Sequence, residues 1–265
     1  MVFEFLKVFV DETGVAVVKM ARPPVNAVNQ AMYIELADIF SNPDQVGRSI
    51  RAIVLAAEGP QFCAGNDLDE FATMTPANGT ERMWRVREAF FAIQCCPVPV
   101  IGAVRGVALG TGLAIAASCD FVVAAPDAKF GLPELTVGVF GGARHLARIA
   151  PGPLMRRMFF TGMALSATDL ARQGGSIVIA ENDDVVAEAM KFASRIAKHS
   201  PRAVRYGKSI LNRIETMDLR SGYEFEQSYT VKMSGDFDSK EALEAFRNKR
   251  PAQYQAIPES WKPDF

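Results

Sequence analysis

Short β-branched runs at VAVVKMA (15–21), RAIVLAA (51–57), VPVIGAV (98–104) and CDFVVAA (119–125) constrain this chain more than any other feature. Helical spacing fills 30–40, 82–94 and 112–118 between them, and strands alternating with helices predict an α/β core. The opening MVFEFLKVFVDETG carries Glu4, Asp11 and Glu12 and no small-residue cleavage site, so it reads as a further strand rather than a signal peptide. No repeat of fixed period is visible. TMTPANGT (73–80) is turn-rich and polar, and reads as a mobile flap.

From about residue 150 helix follows helix. DDVVAEAMKFASRIAKHSP sets Val186, Met190, Ala193 and Ile196 at helical spacing before Pro201, with His199 as a C-terminal residue favoured by the helix dipole. The chain is expected to divide into a core over 1–199 and a helical appendage over 200–265, ending in the Pro-punctuated RPAQYQAIPESWKPDF.

A length of 265 residues, 49% hydrophobic, is ample to bury a large core. Basic and acidic residues balance, 29 against 30, which gives no electrostatic reason to bind nucleic acid or an anionic membrane. No uninterrupted apolar run is long enough for a membrane span. Cys63, Cys95, Cys96 and Cys119 lack CxxC spacing and read as reduced thiols of a cytoplasmic protein. With only His145 and His199 available, no His-rich metal cluster can be built.

Three segments carry candidate chemistry. GPQFCAGNDLDEF (59–71) places a small Ala64-Gly65 pair before Asn66, with Asp67 able to cap a helix. Either the Asn66 N–H points at a ligand oxygen or this is a plain strand-to-helix turn. RGVALGTGLAIAASCD (105–120) lacks both the third glycine of a dinucleotide fingerprint and the Gly-Lys-Ser/Thr of a phosphate loop. What remains is a turn at Gly110 and Gly112 opening a helix whose free N–H groups suit a negative charge, although tight helix–sheet packing explains the glycines equally well. DAKFGLPELTVGVFGGARHLARIAP (127–151) sets Glu134 among Phe130, Leu132, Leu135 and Val137. A carboxylate there is either paired or raised in pKa, as a proton shuttle requires; the plainer reading is a dipole-stabilising acid after Pro133. Arg144, His145 and Arg148 read as a solvated or subunit-facing side. No G-x-S-x-G elbow offers a serine nucleophile.

Together with PPVNAVNQAMYIEL (23–36) and AFRNKRPAQY (245–254), these segments resemble the crotonase superfamily, the enoyl-CoA hydratase/isomerase family, over nearly the whole chain. The resemblance implies a spiral of ββα units with C-terminal helices that trimerise, two trimers commonly stacking into a hexamer. It implies an acyl-CoA thioester as substrate, with coenzyme A arriving as part of it and no separate cofactor. The thioester oxygen would lie between the N–H groups of Asn66 and Thr111, beside Gly110. Hydratases of the family carry one glutamate where this chain has Ala114 and another at Glu134, so Glu134 is expected to be the single acid/base. The methyl of Ala114 would leave room for a bulkier acyl group. Ala64 and Leu68 would meet adenine and pantetheine, and Arg22 the phosphates. Phe246 and Lys249 would cover CoA, often from another subunit. Met83, Trp84, Phe90 and Phe91, with the flap, would shape the acyl tunnel, and Gly142 would anchor the segment after Glu134. The resemblance also leaves open acyl-CoA decarboxylation, thioester hydrolysis or a non-catalytic CoA-ester binder.

Overall fold

The computed structural model describes residues 3–47, 49–181, 184–258, 261 and 263. Its strands are β1 (Leu6–Val10), β2 (Val15–Met20), β3 (Ala52–Ala57), β4 (Val100–Val104), β5 (Val107–Leu109), β6 (Phe121–Ala124), β7 (Lys129–Gly131), β8 (Ala164–Ser166) and β9 (Val178–Ile179). The helices of the first half are α1 (Gln30–Ser41), α2 (Leu68–Ala72), α3 (Pro76–Gln94) and α4 (Thr111–Ser118). Then come α5 (Ala143–Ile149), α6 (Gly152–Thr161), α7 (Ala167–Arg172), α8 (Val185–Ile196), α9 (Pro201–Ile214), α10 (Leu219–Ser234) and α11 (Phe237–Arg247).

A six-stranded sheet runs β1-β2-β3-β4-β6-β9 and a three-stranded sheet runs β5-β7-β8. Only β1 is antiparallel to its neighbour in the large sheet. A parallel sheet is normally covered on both faces, and every residue of β3 and β4 is buried. Side chains alternate along a strand, so β3 serves two cores. Ile53, Leu55 and Ala57 join the larger one, with residues of α1, α3 and α4. Ala52, Val54 and Ala56 meet Val185, Ala189 and Ala193 of α8 on the other face.

The two sheets are wound by a repeated path. β4 lies in the large sheet, β5 in the small one, and α4 follows; β6 and β7 repeat this before a 3-10 turn, Glu134–Val137, and α5. β3 runs the same way through a parallel bridge, Cys63↔Ala108, before α2 and α3, and β2 runs through Val28↔Asn66 into α1. This is the expected spiral of ββα units. The repeat is topological, because the connections between units differ in length.

The polar stretch 73–80 is only partly a loop. α3 begins at Pro76, and the Asn78 side chain accepts from Thr75 N–H at 2.8 Å, closing the helix start. The expected flap is therefore corrected to a short connection between α2 and α3. Proline at a first-turn position costs no hydrogen bond, so a segment that reads as turn-rich nucleates a helix instead.

α9 is fastened to the core by buried charge. Lys208 Nζ lies 2.5 Å from Asp120 Oδ2, which also accepts from Val100 N–H at 2.7 Å. Arg205 donates to Asp44 at 2.9 Å. The Lys208 side chain is 3% exposed, so Asp120→Ala would strand a buried cation and is expected to cost about 3–5 kcal/mol in urea unfolding. An unchanged midpoint would show that the pair carries no stability. α10 and α11 leave Leu219, Val231, Leu243 and Phe246 exposed. Among the described residues, no helix is long and apolar enough to cross a membrane.

Candidate active site

The ends of three successive ββα units meet at one cleft of about 600 Å³, lined by Asn66, Thr111 and Glu134 among others. Asn66 follows the Cys63 bridge, Thr111 follows β5, and Glu134 follows β7. Equivalent positions of consecutive units fall side by side, which is why residues far apart in sequence converge.

In the first turn, Val28 N–H donates to Gly65 C=O and Asp67 N–H donates to Val28 C=O, both at 2.9 Å. Peptide groups alternate in direction along a strand, so the Asn66 N–H faces away from Val28. Asp67 then caps α2, accepting from Glu70 N–H at 2.9 Å, as its position after the turn predicts.

In the second turn, Gly110 N–H donates to Gly131 C=O at 2.9 Å and Gly110 C=O receives Ala114 N–H at 3.0 Å. Thr111 is the first residue of α4, where the N–H has no partner within the helix. Both readings of the glycines hold, at different residues. Gly112 is required by packing, since a Cβ there would stand 2.2 Å from Cys63 O. Gly110 is required by conformation and by the site: its φ is +54° and a Cβ would stand 3.0 Å from Glu134 Oε1. The turns adjoin, for a Cβ on Gly110 would also lie 3.9 Å from Gly65 Cα.

Glu134 thus lies against the helix-opening turn. Its Oε2 is buried and has no hydrogen-bond partner among the described residues. Burial pushes the carboxyl pKa up, opposed only by its own backbone N–H. An acid with one unpartnered oxygen, beside two amides whose N–H groups are not used by the turns, can take a proton from an atom whose developing negative charge those amides hold. Among the described residues, no group of three or more His, Cys, Asp or Glu side chains is arranged to hold a metal.

Of the remaining expected site residues, Ala64, Leu68 and Gly110 line the cleft. Leu68 is 71% exposed at its rim. Ala114 is 1% exposed in the main core and does not line the cleft, so its methyl opens no extra room for the acyl group; that expectation is corrected. Trp84 is also corrected: it is 52% exposed and outside the lining, because it sits on the solvent side of α3. Phe91 likewise faces out, Phe90 is buried, and Met83 lines a separate small pocket with Asn66 and Phe71. Gly142, with φ +68°, caps α5 against Leu132 and lies outside the lining. Arg22 binds Asp67 and donates to Ala27 C=O at 2.9 Å, so its guanidinium clasps the Asn66 turn rather than standing free for phosphates. Phe246 and Lys249 do not line this chain's cleft, and Lys249 adopts φ +50° just after α11.

The side after Gly142 is not simply solvated. Arg148 donates to Ala117 C=O at 2.7 Å, and the His145 ring packs edge-on to Phe90 at 4.9 Å. Burial, with Arg148 and Arg144 nearby, holds the imidazole down to about 4 from its ordinary 6.5. Because the folded state binds this proton less readily than the unfolded chain, stability is fully present above 6.5 and is lost as pH falls towards 4. His145→Phe is expected to flatten that part of a Tm-versus-pH curve; an unchanged slope would place the acid sensitivity elsewhere.

Tyr33 is the residue that sequence reasoning missed. Its hydroxyl donates to Asn66 Oδ1 at 2.6 Å and lies 2.8 Å from Thr111 Oγ1, joining the side chains of the two turns. A tyrosine within an apolar helix pattern reads only as core, and nothing local announces partners so distant in sequence.

The enoyl-CoA hydratase/isomerase family model matches residues 11–257, and the chain belongs to that family, within the crotonase superfamily. A Mycobacterium tuberculosis (7aS)-7a-methyl-1,5-dioxo-2,3,5,6,7,7a-hexahydro-1H-indene-carboxyl-CoA hydrolase is 34% identical, covering 90% of this chain and 96% of the relative. The 2,3-dehydroadipyl-CoA hydratase of Escherichia coli is 32% identical over 87% of this chain and 90% of its own length. Among solved structures, an enoyl-CoA hydratase from Mycobacterium smegmatis superposes with a TM-score of 0.86 at 31% identity, covering 94% of this chain and 98% of the other.

Proposed function

We propose that this chain is an acyl-CoA enzyme of the 3,2-enoyl-CoA isomerase or enoyl-CoA hydratase type, with Glu134 as its single acid/base. The observation that carries this reading is the Glu134 carboxylate, with Oε2 buried and unpartnered, lying against Gly110 immediately before the Thr111 amide. The thioester oxygen is held by the N–H groups of Asn66 and Thr111. Each such donor contributes about 2.7–4 kcal/mol to a transition state in which that oxygen gains charge. For isomerisation, Glu134 removes a proton from C2 of a 3-enoyl thioester and the electron pair moves into the enolate. The same carboxyl returns the proton at C4, so the double bond moves from C3 to C2 and the atoms balance. For hydration, Glu134 activates water towards C3 and returns a proton to C2.

Ala64 and the exposed Leu68 support a place for the CoA moiety at the rim, and Val25, Phe71 and Val139 give the inner cleft an apolar wall for the acyl group. Phe246 and Lys249 are assigned to CoA contact from a neighbouring subunit. The exposed apolar residues of α10 and α11 support 200–265 as the trimer-forming region, in a trimer or a hexamer.

A hydrolase acting on a cyclic oxo acyl-CoA is the second reading. It is favoured by the 34% identity to the M. tuberculosis indene-carboxyl-CoA hydrolase and by the single carboxylate, which suits activation of one water. The deciding assay offers trans-2-enoyl-CoA and 3-enoyl-CoA of several lengths and follows the conjugated thioester chromophore. Loss from the first substrate indicates hydration, and gain from the second indicates isomerisation. Silence with both, together with turnover of a cyclic oxo acyl-CoA, would replace the first reading with the second.

A further inference from the structure

A site made of two main-chain amides has no side chain to set its spacing; the spacing depends on what holds the two turns together. The Asn66 turn belongs to the second ββα unit and the Thr111 turn to the third. Tyr33, on α1 of the first unit, touches both. The phenol proton goes to Asn66 Oδ1, so the Thr111 hydroxyl must be the donor in its own bond to Tyr33. A directional chain therefore runs from Thr111 through Tyr33 to Asn66.

The link is rigid and dry. Tyr33 is 1% exposed, and its ring meets Phe90 edge-on at 6.1 Å, while Phe90 in turn packs edge-on to His145. α1 is itself anchored beside the Asn66 turn, because Asn29 caps it by accepting from Met32 N–H at 2.8 Å and Val28 bridges to Asn66. Burial raises the phenol pKa, outweighing the Thr111 bond, so the hydroxyl keeps its proton at any working pH.

We propose that Tyr33 is a positioning residue of the oxyanion site: by tying the side chains of Asn66 and Thr111 together, it holds their two N–H groups at the spacing that one thioester oxygen needs. This rests on the acyl-CoA reading above and adds to it a residue that never touches substrate. Loosening the tie leaves both amides and Glu134 present but lets the turns drift apart, which penalises the transition state more than ground-state binding.

The test uses the full chain and a 3-arylacryloyl-CoA, a conjugated thioester whose absorption moves to longer wavelength when its carbonyl accepts hydrogen bonds. Wild type is expected to shift the bound probe. Tyr33→Phe is expected to bind it within about three-fold of wild type yet lose at least about half of the shift, and to lower kcat roughly 10–100-fold on whichever acyl-CoA is turned over. Thr111→Val keeps the amide and loses the hydroxyl, so it should fall in the same direction. In an Asn66→Ala/Thr111→Val background, Tyr33→Phe should change kcat by less than about two-fold. A Tyr33→Phe protein with full shift and full kcat, altered only in Tm, would reduce Tyr33 to a packing residue and overturn the inference while leaving the oxyanion site intact. A wild-type protein that binds the probe without any shift would instead overturn the oxyanion reading, and this inference with it.

Discussion

Glu134→Gln is expected to cut turnover roughly 10²–10⁴-fold while CoA-ester affinity stays within a few-fold, because proton transfer is lost and the cleft is not. Glutamine keeps the shape and cannot act as a base. The wild-type rate should fall on the acid side as Glu134 gains its proton, with a midpoint above the ordinary 4.5, since burial favours the neutral form. The stability consequence has the opposite sign. A carboxyl whose folded pKa is raised stabilises the fold at low pH, and that contribution is lost as pH rises through the folded pKa. At neutral pH the Glu134 carboxylate therefore burdens the fold, and Glu134→Gln is expected to leave Tm unchanged or raised. Steady-state kinetics and a melt on the same preparation check both statements. Full activity in the variant would remove Glu134 from the mechanism.

The second large effect concerns an amide. Thr111 occupies the first position of α4, where proline is tolerated because the N–H has no helical partner. Thr111→Pro is thus expected to delete one oxyanion donor with α4 still formed, lowering kcat roughly 10²–10³-fold. Thr111→Val retains the donor and isolates the hydroxyl contribution. If both variants lost activity equally, the side chain rather than the amide would be the functional part of Thr111. Circular dichroism indistinguishable from wild type is the control for an intact helix.

Much of this was legible in the residues, for definite reasons. β3 and β4 are runs of buried apolar residues, and such runs announce themselves at any reading. The glycine turn, the Ala64-Gly65 pair and Glu134 are visible because left-handed turns and an acid among apolar neighbours are local signals. What stayed hidden is not local. β5 and β7 are three residues each, VAL and KFG, below the length at which a pattern can form, so the second sheet could not be seen. The ββα repeat came only through the family resemblance, because connections of unequal length erase any fixed period. Ala114 stood out as a missing carboxylate only through the family resemblance, and its burial in the main core depends on how α4 packs. Trp84 and Phe90 lie on the same helix with opposite fates, exposed and buried, which the aromatic composition of α3 could not separate. Tyr33 became meaningful only once three units were stacked.

The central claim is that the thioester α-carbon is deprotonated by Glu134 while the two amides hold the enolate oxygen. Its most direct measurement is exchange of solvent deuterium into C2 of a saturated acyl-CoA, followed by mass spectrometry with wild type and Glu134→Gln side by side. The account requires deuterium at C2 with wild type and none above background with Glu134→Gln. Because a saturated thioester has no double bond to carry the proton on to C4, an unlabelled C2 with wild type, or equal labelling by both proteins, would contradict it.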